Sequence, residues 1–405
     1  MNTKVLMFGW EYPPFNSGGL GVACLGLSKA LTQQGIEIAF VLPKKIDVSS
    51  PFMKIIFADN NPQSVEKIFS AYITSNQYAK LAVKYGWDNS LMDEVVKYGI
   101  LAREIAKEEN FDVIHAHDWL SFPAGIEAKK ISGKPLIVHV HATEFDRSGE
   151  KINPQIYQIE KQGLEFADKI VAVSNYTKNK IVEKYGISPD KIEVVWNGIE
   201  PVVHQDASKP SLLKDVKDLG CKLVLFVGRI TMQKGPDYFL EAAKRVLDYD
   251  KNVVFVISGS GDMENQIIRQ SVELGISDKV LFTGFLRGDE LDAVYNAADL
   301  FIMPSVSEPF GITALEAVNM GVPVIVSKQS GVSEALHACL RVDFWDIDEM
   351  TNKILSVLGH KSLQGCLREN GQQEIGKLSW NAAANKCVNL YEKLLNLHQA
   401  NFITV

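Results

Sequence analysis

Two glutamates and two cations in this chain have the types and spacing to handle a ligand that carries charge. Glu308 and Glu316 are separated by seven residues within S-V-S-E-P-F-G-I-T-A-L-E-A, residues 305–317. The apolar run 299–303 before it reads as a short buried strand. Pro304, Pro309 and Gly311 then break any regular element, and an apolar-periodic run from Ile312 to Met320, stopped by Gly321, reads as a helix. Glu308 therefore falls in a loop and Glu316 inside a helix. A helix N-terminus carries unbonded N–H groups and about half a positive charge, which suits phosphate. A carboxylate in the same loop would repel phosphate. It makes sense against a part of the ligand that is neutral or becomes positive. A nucleotide-sugar has both parts: an anionic diphosphate, and a sugar whose anomeric carbon turns cationic as its bond breaks. The plain alternative is a capping loop with two solvated glutamates.

The cations lie upstream. R-I-T-M-Q-K stands between Gly228 and Gly235, and Pro236 suits the first turn of a following helix. Arg229 and Lys234 are thus placed beside a helix N-terminus, where a cation is unfavourable by about 0.3–1 kcal/mol. A diphosphate between them outweighs that cost, since each charge-assisted hydrogen bond contributes roughly 1.5–3 kcal/mol. Two solvated surface cations are the bland alternative.

A third group is histidine. His115 and His117 sit in D-V-I-H-A-H, and His139 and His141 in P-L-I-V-H-V-H; both segments read as strands. Period two turns both side chains of a pair to one face. The pattern H-x-H-x-D-H of metallo-hydrolases does not fit, because Asp118 directly follows His117 and no histidine follows it. Neutral imidazoles hydrogen-bonded near a ligand cleft are expected rather than a metal site. Ligands of parallel sheets bind beyond the carboxyl ends of strands, where Asp118 and His141 fall. A strand-end cap is the other reading of Asp118.

The elements that position these groups alternate. Lys4 to Gly9 reads as a strand, a glycine loop through Gly18 and Gly19 feeds a helix over Leu20 to Leu31, and Glu37 to Leu42 returns as a strand. Further strands are expected at Phe52 to Ala58, Lys169 to Ser174 and Lys191 to Trp196, with a helix over Met92 to Glu109. Residues 201–220 are polar and read as a linker. The same syntax restarts at Lys222, with strands at 222–227, 252–257, 279–283, 299–303 and 322–326. Such alternation predicts parallel sheets covered on both faces. The expected domains are 1–200, the linker 201–220, 221–378, and a C-terminal helical segment 379–405 whose helix covers 379–396 and leaves 397–405 as a tail. Neither G-G-L-G at 18–21 nor G-S-G-D-M-E at 259–264 completes G-x-G-x-x-G, which disfavours a dinucleotide oxidoreductase. Asp346-Ile-Asp348 precedes a helical run and is expected to cap it.

Composition sets the class. The 405 residues carry 46% hydrophobic and 22% charged side chains and a net charge of −7, ordinary for globular domains and unlike a nucleic-acid binder. Membrane association needs only a local basic patch, and Lys129-Lys130 and the lysines from 178 to 184 read instead as solvated helix faces. The five cysteines are scattered without a C-x-x-C pair, so neither a disulfide framework nor a thiolate zinc site is indicated, and a reducing cytoplasm is expected. No apolar run reaches the roughly 18 residues of a membrane span.

The string E-P-F-G-I-T-A-L-E-A resembles the E-x7-E motif of retaining glycosyltransferases with the two-domain GT-B fold, including family 4 and the glycogen and starch synthases. G-R-I-T-M-Q-K-G resembles the family's G-R-x-x-x-x-K-G element, E-Y-P-P-F-N-S-G-G-L-G its opening loop, H-D-W a segment that places an aspartate near the transferred glucose, and H-A-T-E-F-D-R the segment of its active-site histidine. Many bacterial starch synthases have Lys where this chain has Asn16. The resemblance implies two doubly wound Rossmann-like domains with an interdomain cleft and a last helix crossing back onto the first. It implies that Arg229 and Lys234 hold the donor diphosphate without a metal, and that Glu308 holds sugar hydroxyls. The N–H groups of Gly311, Ile312 and Thr313 would take the distal phosphate and Glu316 the ribose. Asp118 and His141 would lie beside the sugar, and Gly18 and Gly19 in the opening loop. Gly259 and Leu286, the latter in G-F-L-R, would line the nucleotide. The implied donor is UDP- or ADP-glucose, and the implied acceptor an α-glucan or small sugar. The alternative acceptor is a lipid or a sugar-phosphate. No cofactor beyond the donor is implied.

Overall fold

The computed structural model describes residues 3–16, 18–59, 91–200 and 212–403. The chain forms two compact units, Met1–Gly198 with Trp380–Val405, and Ile199–Ser379.

The first unit is built on a seven-stranded sheet in the order β3-β2-β1-β4-β5-β6-β7. Its strands are β1 (Lys4–Phe8), β2 (Glu37–Lys44), β3 (Lys54–Asp59), β4 (Val113–His117), β5 (Leu136–Val140), β6 (Lys169–Ala172) and β7 (Ile192–Val194). Every pairing is parallel. Helices cover both faces, so β1, β4 and β5 are nearly wholly buried and, apart from Lys4 and the histidines of β4 and β5, apolar. Leu6, Phe8, Ile114, Leu136 and Val138 pack into one core with Tyr98, Trp119 and Phe122.

The chain returns to this unit at its end. The helix Trp380–Ile403 lies against the helix Gly19–Gln33 so closely that a Cβ on Gly26 would meet the Trp380 indole at 2.3 Å. The expected tail from 397 is instead helical to Ile403, since L-H-Q-A-N-F-I contains neither Gly nor Pro to stop it.

The second unit has a six-stranded sheet in the order β10-β9-β8-β11-β12-β13. These are β8 (Lys222–Val227), β9 (Val253–Ser258), β10 (Val280–Gly284), β11 (Leu300–Met303), β12 (Val324–Ser327) and β13 (Leu340–Val342), again all parallel. Its core is centred on Phe226, Phe239, Phe255, Leu300 and Ile302. Of the expected linker, 201–211 lies outside the described residues, whereas Leu212–Asp218 is a helix. Leu213 is buried and Lys217 pairs with Asp299 at 2.7 Å, so this stretch belongs to the fold of the second unit.

Candidate active site

In the second unit β8 and β11 are neighbours at the middle of the sheet, so the loops leaving their C-terminal ends emerge side by side. After β8 the chain passes Gly228 and Arg229, makes a 3-10 turn at Met232–Lys234, and enters the helix Pro236–Tyr249. Gln233 is buried in that turn. Its carbonyl accepts from the Val306 N–H at 3.0 Å, and its side-chain oxygen accepts from Arg229 Nη2 at 3.1 Å. One residue thus ties the two loops together and steadies the arginine.

Lys234 Nζ donates to Glu308 Oε2 in a close ion pair, with side chains 19% and 8% exposed. Ser305 Oγ also leans on that oxygen at 3.4 Å. The backbone of Glu308 is fixed on both sides: its N–H donates to the Gln329 carbonyl and its carbonyl accepts from the Gly331 N–H, each at 2.9 Å. The helix Ile312–Asn319 then starts at Gly311 with no side-chain cap and no acidic residue in its first turn. A cation, a carboxylate and a helix tip are therefore held together by β8 and β11, and an ammonium has three donors, so Lys234 can serve Glu308 and an anion at once. Inside the helix, Glu316 accepts from the buried Tyr295 hydroxyl at 2.8 Å, and burial raises its pKa above the usual carboxylate value.

The next loops interlock with the first. Gly228 N–H donates to Ser258 O and Ile230 N–H to Ser260 O, both at 3.0 Å, while Gly259 N–H donates to Gly284 O at 2.8 Å. A Cβ on Gly259 would sit 1.8 Å from the Gly228 carbonyl oxygen, and its φ of +146° is one that side chains avoid. Packing between loops already requires this glycine. Leu286 is half-buried in the loop after β10, farther along the row from Glu308.

In the first unit β4 and β5 are adjacent, with His117 paired to His139. All four histidines share one face and stack, with ring centroids 4.3–5.4 Å apart along the series. His117 Nδ1 lies 2.9 Å from His141 Nε2, and His115 Nδ1 lies 2.7 Å from the Tyr391 hydroxyl of the C-terminal helix. Burial drives the imidazoles neutral: His115 and His141 are each lowered to about 3, and His117 and His139 fall well below the ordinary value. Cys24 with His117 and His141, and His115 and His117 with His139, bring possible metal-ligating atoms within 4.8 Å. Yet the stacked planes lie only 9–28° apart. One nitrogen of His117 and one of His141 are already joined by their hydrogen bond.

Asp118 follows the stack with φ +59°, the only non-glycine residue of positive φ among those described. Its carboxylate accepts from the N–H of His141 at 2.6 Å and of Ala142 at 3.3 Å. Burial pushes its pKa up to about 7. Asp118 thus acts on the turn that presents His141. The same turn is held from behind by Arg147, which donates to the Ala142 carbonyl at 3.2 Å and pairs with Glu144 and Glu160. Gly18 caps the helix Gly19–Gln33 without a side-chain bond, but the Gly21 N–H one turn on is taken by the buried Glu11 carboxylate at 3.0 Å. Asn16 Nδ2 donates to the Gly18 carbonyl at 3.0 Å.

Sequence reasoning singled out Glu308, Lys234, Arg229, Glu316, Asp118 and His141, and the structure gathers them into two groups, one on each unit. It did not find Gln233, Tyr295, Glu11 or Arg147. Arg147, Glu144 and Asp146 did leave a trace: three charges crowd directly behind an apolar strand in H-A-T-E-F-D-R.

Two doubly wound parallel sheets with such groups at the carboxyl ends of their strands define a GT-B glycosyltransferase. The family description "Glycosyltransferase Family 4" matches residues 17–202, and "Glycosyl transferases group 1" matches residues 211–374. An uncharacterized glycosyltransferase of Methanocaldococcus jannaschii is 30% identical over 96% of this chain and 98% of its own. A glycogen synthase of Mycobacterium tuberculosis is 27% identical over 82% of this chain and 80% of its own. Among solved structures, the sucrose-phosphate synthase of Thermosynechococcus elongatus shares the fold with a TM-score of 0.78 at 20% identity, over 98% of this chain and 100% of that one. The chain belongs to glycosyltransferase family 4. No described helix is long and apolar enough to cross a membrane.

Proposed function

We propose that the protein moves a hexose, by preference glucose, from UDP- or ADP-glucose to an α-glucan or small sugar, with retention at the anomeric carbon. The observation that carries this reading is the Lys234–Glu308 pair beside the uncapped tip of the helix Ile312–Asn319. The cation and the tip suit a diphosphate, and the carboxylate suits hexose hydroxyls. Arg229 on the same loop adds a second positive charge, so side chains neutralise the leaving group and the reading assigns no metal to the reaction. Glu316, steadied by Tyr295, takes the ribose hydroxyls. Gly259 and Leu286 line the nucleotide, and His141, set by Asp118, lies beside the hexose.

In the transfer step the acceptor oxygen bonds to the anomeric carbon on the face from which the phosphate departs. The bond from that carbon to the distal phosphate oxygen breaks, and the acceptor proton passes to the released oxygen. The products are the glycoside and a nucleoside diphosphate. Stabilisation of charge on the leaving phosphate is the main catalytic contribution.

The likeness to a glycogen synthase supports glucose and a glucan. Glu11 supports an uncharged acceptor, because its carboxylate already occupies the N–H of Gly21 at the first helix tip. A sugar-phosphate or lipid-phosphate acceptor in the Gly18–Gly19 loop would meet that negative charge. The test is a donor-by-acceptor screen that follows nucleoside diphosphate release, with NMR of the product linkage. Release from UDP- or ADP-glucose only with neutral sugars, giving an α-linked product, is expected. A β-linked product would overturn retention, and release only with phosphorylated or lipid acceptors would overturn the acceptor assignment.

A further inference from the structure

Six loops leave the C-terminal ends of the strands of the second unit in the order of the sheet: 285–288, 259–263, 228–235, 304–311, 328–331 and 343–346. The Lys234–Glu308 pair lies at the centre of this row. The loops assigned to the nucleotide lie on one side of it. The turn 343–346 lies at the other end, two strands beyond the loop of Glu308.

That turn displays Trp345, which is 57% exposed. The ring is held rather than loose. Phe344 stands edge-on to it, with centroids 4.8 Å apart at 85°. Phe344 in turn meets Tyr238 of the helix after Lys234 at 5.1 Å. The Asp346 N–H donates to the Asp343 carbonyl at 3.0 Å and closes the turn. Gln329 connects it to the reacting groups: its carbonyl accepts from the Glu308 N–H, and its Nε2 donates to Asp343 Oδ1, both at 2.9 Å. A pre-ordered aromatic face beside polar side chains is the surface on which a sugar ring packs its C–H face while its hydroxyls find partners, and pre-ordering lowers the entropic cost of binding.

The charge around the ring narrows the occupant. Asp343, Asp346, Asp348 and Glu349 flank it, and the nearby cations Lys328, Arg245 and Lys353 are paired with Asp343, Asp348 and Glu349. Anionic lipid surfaces attract basic segments, not such a one. A neutral polyhydroxylated chain has no such conflict.

We propose that Trp345, buttressed by Phe344 and Tyr238, is a carbohydrate platform that holds a hexose unit of an α-glucan chain apart from the groups that handle the diphosphate. This rests on the glucan-acceptor reading above. Its test is calorimetric titration of the full chain with maltoheptaose, for the native protein and for Trp345→Ala and Trp345→Phe. The Ala variant should bind at least about tenfold more weakly, as loss of an aromatic anchor does. The Phe variant should keep most of the affinity. Thermal stabilisation by UDP or ADP and turnover with glucose as acceptor should be unchanged in both. Equal maltoheptaose affinity in native and Ala proteins, or no binding by the native protein, overturns the platform. Trp345-dependent sedimentation with phosphatidylglycerol vesicles, without maltoheptaose binding, overturns it in favour of a membrane contact. Absence of glucose transfer to maltoheptaose by the native protein would instead overturn the glucan-acceptor reading, whereas transfer to maltoheptaose with equal affinity in native and Ala proteins overturns the platform alone, so the two failures are distinct.

Discussion

The two groups of site residues solve the same problem in opposite ways. On the first unit His115, His117 and His139 are essentially inaccessible, and the groups there are either uncharged or locked into a network. Its imidazoles lose their protons because a buried charge would cost more than a neutral ring. Arg147 keeps its charge only between two carboxylates. On the second unit Lys234 retains partial contact with solvent and is paired with Glu308. A charge near the surface can be lent to a ligand, whereas a buried neutral ring offers shape, hydrogen bonding and a lone pair. The proposed function accordingly assigns diphosphate chemistry to the second unit and sugar positioning to the first.

Acid should separate the two most sharply. Below the ordinary histidine pKa near 6.5 the unfolded chain takes up protons that the stack refuses, since His115 and His141 titrate only at about 3 in the folded state. Stability from these groups is fully present above pH 6.5 and is lost as pH falls toward 3. Four such protons give a slope of up to about 5 kcal/mol per pH unit. Asp118 works the other way: its folded value of about 7 stands above its ordinary 3.8, so stability falls as pH rises between them, offsetting one proton of the four. Hydrogen exchange from pH 8 to 5 should show β4 and β5 losing protection while β8 and β11 hold theirs. Equal losses in both sheets would break the comparison.

Removing a charge tests the buried network next. Arg147→Met leaves Glu144 and Glu160 buried without their cation and should cost about 3–5 kcal/mol in urea unfolding. Adding Glu160→Gln should recover part of it. Because Arg147 also holds the Ala142 carbonyl, the double variant should keep a lowered kcat with little change in donor KM. Lys234→Ala should be felt chiefly in turnover, with a kcat lower by about 10²–10³-fold. Near-native turnover in that variant would remove Lys234 from the mechanism.

How far the sequence discloses this contrast depends on range. The buried strands are apolar runs with turn residues on either side, so twelve of the thirteen strands are legible. β13 is not, because Arg341 interrupts the three residues Leu340–Val342 and leaves no apolar run. Lys234 is legible because a cation beside a helix N-terminus breaks a local rule, and Glu308 because it shares a loop with a helix tip suited to phosphate, but their contact spans 74 positions and needs the parallel sheet to form it. Period two puts each histidine pair on one face. Stacking the pairs requires the β4–β5 register, and the partner Tyr391 arrives from 276 positions away. Glu11 and Tyr295 do their work through hydrogen bonds to residues brought near by the fold, and nothing local marks them.

Tyr295 gives the smallest effect and the finest test of the second unit. Its hydroxyl donates to Glu316, and it is the protein group that favours the ionised carboxylate against the burial that raises its pKa. Tyr295→Phe keeps the ring in place and deletes that bond. A net hydrogen bond contributes about 0.5–1.5 kcal/mol, so UDP or ADP should bind roughly three- to tenfold more weakly. The Glu316 pKa should move further up, so the deficit should widen as pH falls. If Glu316 reads the ribose, the preference for UDP over 2′-deoxy-UDP should shrink in the variant. A variant with native affinity and undiminished preference for the ribose would show that Tyr295 and Glu316 form a structural pair and that ribose recognition lies elsewhere on the second unit.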